Sequence, residues 1–472
     1  YGFSINHLNK IILNQNDSLA QYAFYYLGDS YRHIENRVEA MNAFRSASLL
    51  ENDSLIQHNA FYQFVILCYE QKSSLYSAEK YLSEFIDKYP QSDHIDEVYS
   101  CLANIHLNTH DYDNAINILE QSALLSHDIR YQYQKICFHK GVQLFNDEFY
   151  DQAIIYFNKS IHVGDKNTLF YESYYWKGEA YYNLTMFDDA LSAYRHLTPD
   201  CGELYVKSLY SQAYSQLKKK DFANAINLFK QSIKVNADST ILYDMYVRIG
   251  DSYFALTNYE LSAQYYTRAM NISGIEDDYA AYKKSTSYVL LGDYDKAINS
   301  LNSLIKNFTN SNYVDDAIFD LGNVYILSRN FNLAVAEFSK IINDFKKSLF
   351  YPSAQLKLGL VYYMQEKDDE AVSVLKHLIS ELPTSSSSQE ALNIIQNIYN
   401  EIGEANKFLE LIQNVEHDYT KSELDSSMYF SAELQYMQKS YQNAINAFNS
   451  YLSYYPNGLF LLESKYFLYK SY

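Results

Sequence analysis

The chain has 472 residues and a formal charge of −19 at pH 7, with 57 acidic side chains against 38 lysines and arginines. That balance excludes a nucleic-acid binder, which needs a basic face for phosphates, and no stretch approaches the 18 consecutive apolar residues of a membrane-spanning helix. Thirteen glycines and five prolines argue against a loop-rich all-β fold, and Cys68, Cys101, Cys137 and Cys201 show neither CxxC spacing nor the density of a disulfide framework.

Residues 1–20 read as a second helix without its first, because SINHLNKIILNQNDS matches AINLFKQSIKVNADS farther along. From residue 21 the same unit recurs: HDYDNAINIL at 110, EFYDQAIIYF at 148, KDFANAINLF at 220, GDYDKAINSL at 292, RNFNLAVAEF at 329 and KSYQNAINAF at 439. Each has an aromatic residue, a small residue three places on, and a large apolar residue four further. The small residues are Ser4, Ala40, Ala78, Ala115, Ala153, Ala190, Ala225, Ser262, Ala297, Ala334, Ala371 and Ala444, with Phe408 standing in an otherwise matching place. Their mean spacing is about 37 residues, and self-similarity at a period of this size marks a solenoid.

About twelve residues before each small anchor lies a second motif, as in AFYYLGDSY at 23, YYWKGEAYY at 174 and YVRIGDSYF at 246. Large residues at i, i+3 and i+7 around a glycine or alanine form one helix face with a close crossing. Each unit is therefore two antiparallel helices joined by a tight polar turn. Regular repeats fill 21–384, a degenerate repeat and expected hinge fills 385–424, and 425–472 holds a final repeat plus the half repeat LESKYFLYKSY. All of 1–472 reads as one solenoid. Both ends fall inside repeats, and solenoids need polar caps, so the parent chain is expected to continue in both directions.

These residues resemble the tetratricopeptide (TPR) repeat. That family's pattern places an aromatic at position 4, Leu-Gly at 7 and 8, Tyr at 11, Ala at 20 and an aromatic or Leu at 24. Phe24, Leu27, Gly28, Tyr31, Ala40 and Phe44 supply it in the first full repeat, and Leu321, Gly322, Tyr325, Ala334 and Phe338 in a later one. The resemblance implies an all-α, right-handed TPR superhelical solenoid of about twelve helix-turn-helix repeats. The surplus over the family's period sits in linkers such as FIDKYPQSDHIDEVY at 85 and YLSYYPNGLFLLES at 451, with looser versions at 307 and 381. These linkers resemble those of bacterial cell-envelope TPR proteins, among them the TPR subunit of the outer-membrane β-barrel assembly machinery and the TPR coordinator of the Tol–Pal system.

No catalytic constellation emerges. Asp293 and Asp295 could ligate a cation, but an EF-hand needs oxygen ligands across twelve residues and a closing Glu, and sister copies carry Asn, Gln or Ala there. Gly28, Gly250 and Gly322 sit mid-helix rather than in a phosphate-cradling loop. His106 and His110 share the i, i+4 spacing of zinc sites yet lack a third ligand, so a packed and a solvated histidine are expected. The expectation is a non-enzyme without metal or cofactor.

The resemblance further implies that positions 2, 5, 9, 12 and 13 of each first helix line a concave groove. Position 5 then contributes Tyr25, Tyr175, Tyr210, Tyr282, Phe319 and Tyr429; position 12 contributes Tyr182, Phe254, Tyr363 and Tyr436; position 9 contributes Asn323, with Asp29, Glu179 and Asp251. Tyrosine combines contact area with a polar tip, which suits recognition of other proteins or extended peptide segments. No repeat has Lys at position 5, so the family's clamp for C-terminal carboxylates is not expected. The first functional reading is a protein-binding scaffold of a bacterial envelope complex, periplasmic and outer-membrane-associated. A cytoplasmic TPR adaptor and the substrate-gathering solenoid of an enzyme whose catalytic domain lies elsewhere stay open.

Overall fold

The computed structural model describes residues 1–12, 18–71, 76–122, 126–234, 238–272, 277–413, 415 and 419–472. Among them are 26 α-helices, one 3₁₀ turn and no strand. The chain forms two compact units, 1–236 and 237–472, and in each the helices pack as successive hairpins.

Eleven of the described hairpin turns share one geometry, in which the residue five places before the small anchor has positive φ. These residues are Glu35, His110, Glu148, Thr185, Lys220, Thr257, Gly292, Arg329, Glu366, Gly403 and Lys439. The next residue's N–H returns to the carbonyl five residues back, as Asn258 to Tyr253 at 2.9 Å and Asp293 to Tyr288 at 3.1 Å. That 6→1 bond satisfies an orphan carbonyl of the first helix. The same residue then caps the second helix at Asn36, Asp111, Asp221, Asn258 and Asp293: Asp293 accepts from Lys296 N at 3.2 Å and Asn258 from Leu261 N at 3.2 Å. The acidic turn at 292–295 is thus a helix stop and a helix start.

A β-branched residue at φ near +60° is strained. Thr257, at φ 58, tests this. Thr257→Gly is expected to raise stability by about 0.5–1 kcal/mol, the relieved strain exceeding the extra unfolded-chain entropy of glycine. Thermal denaturation should place Thr257→Asn between glycine and the wild type; a lowered midpoint for the glycine variant would refute the strain.

The anchors Ala40, Ala115, Ala153, Ala190, Ala225, Ser262, Ala297, Ala334, Ala371 and Ala444 are all at zero exposure. Close approach also explains the mid-helix glycines. Gly28, Gly141, Gly178, Gly250, Gly322 and Gly359 each face the side chain sixteen residues on: Phe44, Phe157, Tyr194, Tyr266, Phe338 and Leu375. Two other small anchors are less buried. Ser4 is exposed and its helix Gly2–Ile12 has no buried residue. Ala78 is only half-buried.

In the degenerate repeat, Ser386–Glu401 and Ala405–Ile412 still pair. Phe408 occupies the anchor place, 2% exposed, in a core with Leu392, Ile395, Ile412 and Met428. Part of the expected hinge, residues 414 and 416–418, lies outside the described residues.

The long linkers share a second geometry. Tyr89, Phe308, Phe345, Leu382 and Tyr455 end their helices at φ between −137 and −118 and ψ between 46 and 65. Three residues on, an N–H returns to each carbonyl: Ser92 to Tyr89, Ser311 to Phe308, Ser348 to Phe345, Ser385 to Leu382 and Gly458 to Tyr455. The linker at 345–350 joins the four seen in the sequence.

Candidate functional site

In the first unit, the helices Thr168–Asn183 and Glu203–Lys218 bring two of the expected groove tyrosines to one place. Tyr182 and Tyr210 line a cavity of 220 Å³ together with Glu179, Ser211 and Tyr214. The site spans two repeats, taking positions 9 and 12 from one and 5, 6 and 9 from the next. Tyr182 is pinned edge-on by Phe187 across the hairpin turn, at 5.6 Å between ring centroids. Tyr210 sits 4.9 Å from Tyr214, and both meet the buried Phe229 edge-on at 6.0 and 5.6 Å. Such contacts hold the rings at low conformational cost.

Glu179 is oriented by two hydroxyls. Tyr194, fully buried, donates to its Oε1 at 2.8 Å, and Ser211 Oγ donates to the same oxygen at 2.5 Å. Burial first, then the Glu179 charge, holds the hydroxyl of Tyr194 far above the usual tyrosine range. Burial, then Glu179, likewise pushes Tyr175 up to about 12. Tyr194 and Tyr175 are therefore neutral at physiological pH. The cavity offers one carboxylate, hydroxyls and aromatic faces.

The other groove residues of this unit are placed differently. Tyr25 is half-buried against Phe44 and Tyr26, edge-on at 5.6 Å to each. Tyr175 packs between Trp176 and Tyr194, at 5.8 and 6.1 Å.

In the second unit, position 12 repeats the pinned arrangement. Phe254 meets Tyr259 at 5.4 Å, and Tyr436 meets Tyr441 at 5.7 Å, both edge-on. The Lys283 ammonium lies 5.1 Å from the centre of the Phe254 ring. Tyr363 donates to Glu401 at 2.7 Å, and Asn323 is part-exposed.

Position 5 of this unit departs from an open groove. Tyr282 is covered by Tyr313 at 5.0 Å, Phe319 by Phe350 at 4.8 Å and Tyr429 by Phe460 at 4.3 Å, each pair stacked. Tyr429 is only 3% exposed. The covering ring comes from the linker, two residues after its serine or glycine, so these positions are platforms for the linker. The signal was present as Ser-x-Tyr at 311 and Ser-x-Phe at 348. Ser211 and Tyr214 also went unremarked, although Tyr214 holds position 9.

Among the described residues no group of three or more His, Cys, Asp and Glu is placed to hold a metal ion. His106 pairs with Glu79 at 3.6 Å and Asp111 at 3.3 Å, while His110 is exposed in its turn. Among the same residues, no helix is long and apolar enough to cross a membrane.

Tetratricopeptide repeat models match residues 206–239 and 243–274, and 279–311, 353–385 and 427–458. No curated protein sequence matches the chain. Among solved structures, the C-terminal part of a TPR repeat-containing protein from Cytophaga hutchinsonii is 18% identical, with TM-score 0.44, covering 54% of this chain and 99% of its own. A tetratricopeptide repeat protein from Parabacteroides merdae is 20% identical, with TM-score 0.36, covering 56% and 98%. YrrB, a TPR protein described as having an unusual peptide-binding site, is 17% identical over 39% of this chain and 91% of its own, with TM-score 0.33.

Proposed function

This chain carries tetratricopeptide repeats, and from that premise we propose that it is a non-catalytic scaffold gripping segments of partner proteins along its first-helix face. The observation that carries the reading is the cavity of Tyr182, Tyr210, Tyr214, Ser211 and Glu179, assembled from two repeats. Its rings are pre-positioned by neighbours, which lowers the ordering cost of binding. The linker-covered residues Tyr282, Phe319 and Tyr429 are left out of the proposed surface; Phe254, Asn323, Tyr363 and Tyr436 remain in it.

The role in an envelope complex belongs to the same proposal. Support for it comes from the YP-type linkers, whose geometry recurs five times. Fractionation of the tagged parent protein should place it with outer-membrane material; recovery in the cytosol would favour the adaptor reading.

Tyr182→Ser with Tyr210→Ser tests the surface. In a crosslinking pull-down read by mass spectrometry, the pair is expected to reduce partner recovery about ten-fold, as for loss of aromatic anchors at an interface centre. Leu349→Ser, at a 93% exposed linker residue, should leave recovery unchanged. Recovery equal to wild type for the tyrosine pair, with its folding intact by circular dichroism, would show the wrong face.

A further inference from the structure

We propose that the cavity between Tyr182, Tyr210 and Tyr214 is the receptor for one cationic side chain, lysine or arginine, of an extended partner segment. The inference rests on the reading of this face as the partner-binding one. Size is the first argument. At 220 Å³ the cavity is smaller than the roughly 300–1,000 Å³ of sites for small molecules and cofactors, but it can admit the end of a long side chain.

Lining chemistry is the second argument. Aromatic faces attract a desolvated cation, and the Glu179 carboxylate supplies the counter-charge. An anion would meet that carboxylate, and an apolar group would cover it without compensation. The chain's net charge of −19 works in the same direction.

The third argument is internal. Asp251 holds the same repeat position as Glu179, in another repeat, and there the protein supplies its own cation. Arg248 Nη1 lies 2.9 Å from Asp251 Oδ2, while the Tyr266 and Tyr279 hydroxyls donate to Oδ1 at 2.7 and 2.8 Å. Tyr194 and Tyr266 correspond, each donating to the carboxylate fifteen residues before it. The residue matching Arg248 is Trp176, which packs against Phe145 and Tyr175. The residue matching Tyr279 is Lys207, which pairs with Glu203 at 2.8 Å. Among the described residues Glu179 enters no ion pair. One repeat therefore fills this position with its own guanidinium, and the other keeps the carboxylate beside an open cavity.

The test is an array of blocked decapeptides probed with the full chain, each arginine paired with citrulline and each lysine with acetyl-lysine. Wild type is expected to retain basic peptides about five-fold or more above their neutral isosteres. Glu179→Gln, which keeps an acceptor for the Tyr194 hydroxyl, should bring that ratio close to one. Should the single variant fail to fold, Glu179→Gln with Tyr194→Phe removes the buried hydroxyl that must be accepted there. A ratio near one in wild type, or an unchanged ratio in a folded Glu179 variant, overturns the assignment. The two readings separate through Tyr182→Ser with Tyr210→Ser. If that pair abolishes peptide binding while wild type ignores charge, only the cation receptor fails. If it leaves all binding intact, the partner-binding face is itself wrong.

Discussion

Gly178→Ala is expected to lower stability by about 1–3 kcal/mol, although glycine to alanine inside a helix ordinarily adds up to about 1 kcal/mol. The sign reverses because of what stands opposite. A Cβ on Gly178 would lie 2.4 Å from Cε1 of Tyr194 and 2.7 Å from Cδ1. The ring cannot swing away: Tyr194 is fully buried and its hydroxyl is held by Glu179 at 2.8 Å. Close-packed interiors absorb an added methyl only by forcing side chains off their rotamers. Other repeats show how the conflict is avoided, since Ala103 stands sixteen residues before Leu119 and Ala213 before Phe229, all four buried. A double-mutant cycle of Gly178→Ala with Tyr194→Leu should therefore give a favourable coupling above about 1 kcal/mol. A raised denaturation midpoint for Gly178→Ala alone would remove the close approach from the account.

The period, the hairpins and the anchors were legible because packing forces them into the sequence. A helix crossing at closest approach tolerates only a small residue, so Ala225 or Ala297 cannot drift without loss. The turn position of positive φ left no such trace. Eleven turns adopt it, yet nine carry a non-glycine residue, Thr185 and Arg329 among them, because the 6→1 backbone bond imposes the geometry on any side chain. The lining of the candidate cavity was half legible. Tyr182 and Tyr210 could be placed from repeat positions alone, since first helices repeat their orientation. That Tyr282, Phe319 and Tyr429 lie under Tyr313, Phe350 and Phe460 depends on the path of the linker, which the helical period does not encode. Nor could position 9 reveal its division of labour. Asp251 is occupied from within by Arg248, Tyr266 and Tyr279, and this follows from residues on three consecutive helices, Ser239–Ala255, Tyr259–Met270 and Asp278–Leu291.

Asp320→Asn should stabilise the protein by about 1–3 kcal/mol near pH 7, and by almost nothing near pH 4. Asp320 lies in the helix Val314–Leu327 and accepts from the Tyr282 hydroxyl at 3.1 Å. Burial is the main cause that raises its carboxyl to about 6; the Tyr282 hydrogen bond opposes the shift and the nearby Asp316 charge adds to it. A folded-state value above the ordinary 3.8 means that the folded chain binds this proton more tightly than the unfolded one. Stability is then highest below pH 3.8, falls as pH rises between 3.8 and about 6, and stays at its lower level above. Asparagine keeps an acceptor for Tyr282 and never ionises, so its advantage should grow through that same window. Denaturation midpoints of wild type and variant, compared at pH 4 and pH 7, read the difference directly. If the two proteins are equally stable at pH 7, or the gap is as wide at pH 4, the buried charge is not what the variant relieves. Either result would reassign Asp320 to a solvated carboxylate, and Tyr282 would then be held only by its stack on Tyr313.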